Sequence, residues 1–182
     1  MIEYYLFTHK GGEQTYNEGV FPIANIDLSI GIISSANLGE NCARNVMIFK
    51  EILGSDMIQG NLSDLSGVID KNLADEAEYM ILRISDEKIE SIRRGGVFGK
   101  IVKDGELKVL PNGIMKLEDE DRIVCGTAAF FANLADESIL ADSMFAESSQ
   151  EWMEYMIRRI SDVNWLSEGN LSAVTFIVRS GD

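Results

Sequence analysis

The hydrophobic repeat of this chain switches between two residues and about 3.6, and the order of those switches narrows the folds open to it. Residues 1 to 9 alternate weakly and are rich in aromatics, as a strand would be, and Lys10-Gly11-Gly12 signals a turn. Val20-Phe21-Pro22-Ile23 reads as a second, short strand. Pro22 has no N–H to give a ladder, so this strand belongs at an edge or ends there. Leu28-Ser29-Ile30-Gly31-Ile32-Ile33 reads as a third strand, buried on at least one face. The period then lengthens. From Gly39 to Leu53, positions Ala43, Val46, Met47, Phe49, Lys50 and Leu53 recur at helical spacing, and Gly54 is a stop. A second helix is expected from a cap at Asn61 to Leu73, with Leu62, Leu65, Ile69 and Leu73 on its buried face.

The middle of the chain returns to strands, at Tyr79 to Ile84, Ile89 to Arg93, Val97 to Val102 and Leu107 to Leu110. Lys103-Asp104-Gly105-Glu106 supplies the positive φ of a two-residue hairpin turn, and Asn112-Gly113 repeats the signal. Sequential hairpins predict an antiparallel meander. Glu118-Asp119-Glu120-Asp121 reads as a solvated turn leading into the strand Arg122-Ile123-Val124-Cys125. Helices are expected over residues 128 to 142 and 148 to 161, the second with Trp152, Tyr155, Met156 and Ile160 as a core stripe. Ala173 to Val178 alternates as a closing strand. Strands, two helices, strands, two helices and a strand predict an α+β layered domain, with helices segregated to the outside of antiparallel sheets.

The 182 residues suffice for one domain, taken as 1–182, and an apolar share of 46% can build its core. Sixteen basic against thirty acidic residues leave a formal charge of −14, which excludes nucleic acid and anionic membrane as partners, since both are held by Lys/Arg. Cys42 and Cys125 are the only cysteines and no His/Cys cluster surrounds them, so both read as buried free thiols of an intracellular chain. The N-terminus lacks a basic n-region and a long apolar h-region, and no apolar stretch approaches the roughly 20 residues that span a bilayer. A cytoplasmic protein is expected. No Gly-rich phosphate loop is present, and the sequence does not nominate the orienting partner and nucleophile that His9 would need as a catalytic base, so a structural or exposed histidine is expected.

Four local strings carry more. Gly12-Glu13-Gln14-Thr15-Tyr16-Asn17-Glu18-Gly19-Val20-Phe21 leads into the second strand. Ile32-Ile33-Ser34-Ser35-Ala36-Asn37-Leu38-Gly39-Glu40-Asn41-Cys42-Ala43 joins the third strand to the first helix. Leu117 to Val124 enters a strand that ends Gly126-Thr127-Ala128-Ala129-Phe130, and Ser172-Ala173-Val174-Thr175-Phe176-Ile177-Val178 closes the chain. In this order and spacing, over nearly the whole chain, they resemble the landmarks of the type 2C (PPM) serine/threonine protein phosphatases, with the shorter glycine loop of the sporulation-type bacterial branch. Asn17, Glu18, Phe21, Gly39, Glu40, Ala43 and Thr175 match. Gln14 stands where the resemblance places a phosphate-binding arginine, and Gly19 where it places a metal-binding aspartate. Ser34 and Ser35 replace an Asp-Gly pair whose aspartate bridges two metals; Ala128, Ser172 and Ala173 replace further ligand positions.

The resemblance implies an α-β-β-α sandwich of two antiparallel sheets flanked by helices. It also implies a chemistry this chain lacks the groups for. Paired Mg²⁺ or Mn²⁺ ions, about 3.5–4 Å apart, activate water and clamp phosphate in such sites, and they need carboxylate oxygen to offset their charge. Glycine and alanine offer no side-chain ligand, and a neutral serine hydroxyl is a poor one. The expectation is a catalytically inactive, phosphatase-like binding or regulatory module without a cofactor, with Asn17, Glu18, Asp27, Glu40 and Thr127 as the residual polar groups of its cleft. By the same resemblance its partner would be a serine/threonine kinase, a phosphoprotein or an active phosphatase. The competing readings are an active Mg²⁺- or Mn²⁺-dependent phosphatase with ligands displaced to Glu18, Asp27 and Glu40, and a structural subunit such as a homodimer.

Overall fold

The structure, a computed structural model, describes residues 1–9, 19–23, 28–35, 40–55, 60–74, 77–85, 87–162 and 169–179, with backbone alone at 20–23, 35 and 40. Strands β1 (Ile2–His9), β2 (Gly19–Ile23) and β3 (Leu28–Ser35) precede helices α1 (Glu40–Leu53) and α2 (Leu62–Asn72). Strands β4 (Ala77–Ser85), β5 (Lys88–Arg94), β6 (Phe98–Lys103), β7 (Glu106–Val109), β8 (Gly113–Lys116) and β9 (Arg122–Gly126) follow. Helices α3 (Ala128–Phe131), α4 (Asp136–Phe145) and α5 (Ser149–Asp162) lead to β10 (Leu171–Val178).

The strands form two antiparallel sheets, ordered β1-β10-β9-β6-β7 and β2-β3-β4-β5-β8. Alternation along each strand sorts side chains between three apolar layers. Ile30, Ile32, Met80, Leu82, Val174 and Phe176 meet between the sheets. Ile33, Tyr79 and Ile81 face the other way, onto Phe49 and Leu53 of α1 and Leu65 and Ile69 of α2. Val124, Leu171 and Ala173 pack beneath Phe130, Ile139, Trp152 and Met156 of α3, α4 and α5. This is the α-β-β-α sandwich the resemblance implied. Among the described residues, no helix is long and apolar enough to cross a membrane.

Several local signals act as read. Pro22 lies in β2, an edge strand. Asn61 caps α2 by accepting from the Ser63 N–H at 2.7 Å. Asp104 and Gly105 have φ of 55° and 75°, the two left-handed positions of the tight turn joining β6 to β7. Both cysteines are buried and neither is in a disulfide.

The meander is not formed. β4–β5 and β6–β7 are hairpins in different sheets, and β8 pairs with β5 rather than with β7. The Asn112-Gly113 signal therefore sits on a crossing between sheets, where Ser91 Oγ donates to the Pro111 carbonyl at 2.6 Å and ties the crossing down. The single helix expected over 128–142 is two, α3 and α4. Thr127 caps the first, and Asp136 and Glu137 begin the second with the acidic first turn that a helix dipole favours. Met47 and Lys50, counted on the apolar face of α1, point outward; Met47 is 71% exposed. The buried face keeps Phe49 and Leu53 and adds Cys42 and Asn45. Part of that face meets Gly31, where any Cβ would lie 2.2 Å from Leu53 Cδ1.

Tyr79 joins α2 to its sheet. Its buried hydroxyl donates to Asp70 at 2.9 Å, and Arg94, stacked over the ring at 5.5 Å, binds the same carboxylate. Burial first, and then the Asp70 hydrogen bond, push the Tyr79 pKa up to about 12. Unfolded tyrosine ionises near 10, so above that pH the unfolded state loses a proton that the folded state keeps. Stability from this group should be full below pH 10 and fall as pH rises toward 12. Alkaline unfolding of the parent compared with Tyr79→Phe checks this. The variant should be less stable at neutral pH but flatter between pH 10 and 12, and parallel curves would refute it.

Candidate functional site

One end of the sandwich gathers the sequence landmarks. β9 and β3 finish there; β4 and β10 begin there. Gly19 is buried and paired with Ile33. Ser34 pairs with Glu78, and Ser35 with Ala77. Ala128 sits exposed at the start of α3, and a Cβ placed on Gly96 would touch both its methyl, at 3.3 Å, and Glu78 Oε2, at 2.9 Å. Glu78 continues the inward row of Met80, Leu82 and Ile84, so its carboxylate enters the space between the sheets beside Ala128.

Among the described residues, a set of neutral hydrogen bonds links the strand ends here. Thr127, 1% exposed, donates from Oγ1 to the Asn170 carbonyl at 2.6 Å and accepts from the Ser172 N–H at 3.3 Å. Ser172 Oγ donates to Asn170 Oδ1 at 2.7 Å and lies 2.8 Å from Thr8 Oγ1. Asn170 Nδ2 reaches across to the Ile33 carbonyl of the opposite sheet at 3.4 Å. The Ser172 hydroxyl is thus committed to Thr8 of its own sheet and to Asn170, whose amide makes the bond to the opposite sheet. Ala173 faces the other way: its methyl belongs to the core under α3 and α5, so it is not a cleft position.

A pair of hard divalent cations does not fit these groups. Ala128 offers a methyl, the Ser172 and Thr127 oxygens are spent on neutral partners, and Glu78 is one carboxylate. Among the described residues, no three His, Cys, Asp or Glu side chains converge to hold a metal ion. Gln14, Asn17, Glu18 and Asp27 lie outside the described residues, and Glu40 begins α1, with only its backbone described.

Two charged residues that the sequence reading passed over face this space. Glu78 is one; Arg93 is the other, two residues beyond Ser91 on the inward row of β5. Both are half-buried, and neither their side chains nor that of Ser34 make a hydrogen bond or ion pair among the described residues. The Arg93 charge is felt at the Cys125 thiol, which burial pushes far above its usual range and Arg93 pulls slightly back. The signal for both was present: an acid or a base falling in phase with an apolar row is aimed where the row is aimed.

This chain has the fold of the type 2C (PPM) serine/threonine phosphatases. Its likeness to RsbX, in a structure containing magnesium, has a TM-score of 0.80 over 97% of this chain and 95% of that one, at 12% identity. It is also similar to the Streptococcus agalactiae (S. agalactiae) serine/threonine phosphatase, with a TM-score of 0.75 over 98% and 100% of the two chains at 13% identity. The Mycobacterium tuberculosis phosphatase PstP/Ppp gives 0.74 over 98% and 99% at 12% identity. No sequence-family profile matches the chain, and no curated protein matches it in sequence.

Proposed function

We propose that the domain is a pseudophosphatase, a catalytically inactive module that engages a protein partner through the former cleft. The observation that supports this reading is the neutral network of Thr127, Asn170, Ser172 and Thr8, which occupies the ground where a metal centre would need anionic oxygen. Above it, Arg93 and Glu78 keep unspent charge at the sheet ends. Half-buried charges without a hydrogen bond or ion pair among the described residues lose hydration without compensation, which favours a role in recognition. A serine/threonine kinase, its phosphoprotein or an active phosphatase is the partner this reading favours.

The protein should therefore release no phosphate from p-nitrophenyl phosphate or a phosphopeptide in Mn²⁺. Its melting temperature should be the same in EDTA and in excess Mn²⁺. A shift of several degrees, or Mn²⁺-dependent turnover, would reject the proposal. A second reading, a phosphatase with displaced ligands, draws on the Glu78 carboxylate beside Ala128 together with Glu18, Asp27 and Glu40. Turnover abolished by Glu78→Gln or Glu40→Ala would establish it.

A further inference from the structure

At the far end of β9 from Thr127, about 17 Å away along the strand, a cavity of about 310 Å³ opens between the β6–β7 turn, the 118–122 segment and the end of α4. We infer that this cavity and the apolar ledge beside it dock a cationic segment of another protein that carries an apolar side chain next to Lys or Arg.

The ledge is the first reason. α4 is built inside out near its C-terminus: Asp142 and Ser143 are buried, while the adjacent Met144 and Phe145 are 70% and 78% exposed. The buried polar pair is fully used. Asp142 takes a bidentate pair from Arg159 at 2.7 Å, and the Ser143 carbonyl accepts from Arg122. Nothing inside the fold needs Met144 and Phe145 to be apolar. Adjacent large apolar side chains rimmed by charge are the usual mark of an interaction surface.

The charge around the cavity selects the occupant. Five carboxylates line it against two cations, Lys103 and Arg122. Both cations are committed: Lys103 bridges Glu118 at 3.1 Å and Asp121 at 3.3 Å, and Arg122 pairs with Glu120 at 3.4 Å as well as holding the Ser143 and Ala146 carbonyls. Asp104 at the rim makes no side-chain hydrogen bond or ion pair among the described residues, and its charge is felt only at a distance by Lys108. Arg179 also bridges Glu120, at 2.6 Å, and five carboxylates against three cations still leave a negative surplus, on a chain whose formal charge is −14. A second copy is disfavoured, because a two-fold contact would set the same acidic rim against itself.

The floor is rigid before anything binds. Asp121, expected in a solvated turn, is 4% exposed and accepts from the Glu118 N–H at 2.8 Å. Glu120 is held at φ 63°, a left-handed position unusual for a side chain of its size, by its N–H bond to the Val178 carbonyl at 2.9 Å. Such strain persists only where surrounding contacts over-determine it, and it recurs at ligand clamps.

The test uses the full chain, a fluorescent peptide alternating arginine and leucine, and a matched peptide alternating arginine and serine. The leucine peptide should bind more tightly. Amide shifts in the NMR spectrum should be confined to residues 102–105, 118–122 and 143–146. Met144→Ser with Phe145→Ser should weaken binding at least about tenfold, whereas Glu51→Gln with Glu137→Gln, which remove charge elsewhere, should not. Equal binding of the two peptides, shifts spread over the acidic surface, no effect of the ledge substitutions, or self-association through this face in light scattering would overturn the inference. The cleft proposal is separate and is tested by its own metal and turnover measurements.

Discussion

Gly126→Ala is expected to cost about 3 kcal/mol of stability, the upper range for forcing an extra carbon into a packed core. Gly126 is the last residue of β9 and is buried. A Cβ there would stand 2.8 Å from the Ser172 carbonyl oxygen and 3.0 Å from the Ala173 Cβ. The first obstacle is backbone, so no rotamer change can relieve it. Nor can β10 step aside, because its other edge is paired with β1 along all eight residues, from Ile2↔Val178 to His9↔Leu171. Thermal unfolding should show the midpoint lowered by roughly 6–12 °C for a domain of this size. A loss below about 1 kcal/mol would mean that β9 and β10 separate easily at this end, and that the network beside them is loosely held.

Thr127→Val is expected to cost about 2–3 kcal/mol, whereas Thr127→Ser should cost much less. Valine keeps the shape and removes the oxygen, leaving the Asn170 carbonyl and the Ser172 N–H without it in a place 1% exposed. Buried groups left unsatisfied cost about 1–3 kcal/mol each. The Phe130 N–H is spared the full penalty, because it also reaches the Thr127 carbonyl at 3.1 Å. Urea unfolding of the two variants and the parent makes the comparison. Equal losses for valine and serine would show that the methyl, not the hydroxyl, is what the site needs. The predicted ranking matters for function, since the same hydroxyl joins the neutral network set against a metal centre.

The residues that were legible and those that were not differ in one respect. Asp104-Gly105, Pro22 and Asn61 act through their own φ, their missing N–H or their own side-chain oxygen, and each acts the same way in any fold. Asn112-Gly113, by contrast, lies on a crossing between sheets, because β8 pairs with β5, more than twenty residues earlier in the chain. The acidic run at 118–121 looks alike from residue to residue. Asp121 is the one drawn inside, because Lys103 and the Glu118 N–H are waiting for it there. At this end of the sandwich, the non-acidic residues at the positions the resemblance marks could be read from the strings, but not the hydrogen bonds that Thr127 and Ser172 make there. Thr8 and Asn170 come from opposite ends of the chain, and only pairing of β1 with β10 brings Thr8 to Ser172.

By itself, then, the order of residues determined most of the elements, the turn at Asp104-Gly105, the cap at Asn61, and the absence of acids at the positions the resemblance marks. Those follow from covalent geometry and short-range sterics, which need no partner. Tertiary structure decided which way each row of side chains looks: Glu78 and Arg93 into the cleft, Ala173 away from it, Met144 and Phe145 out to water. Alternation along a strand and rotation along a helix each leave a choice of face. That choice is settled only when the sheets and helices bury one side of every element together.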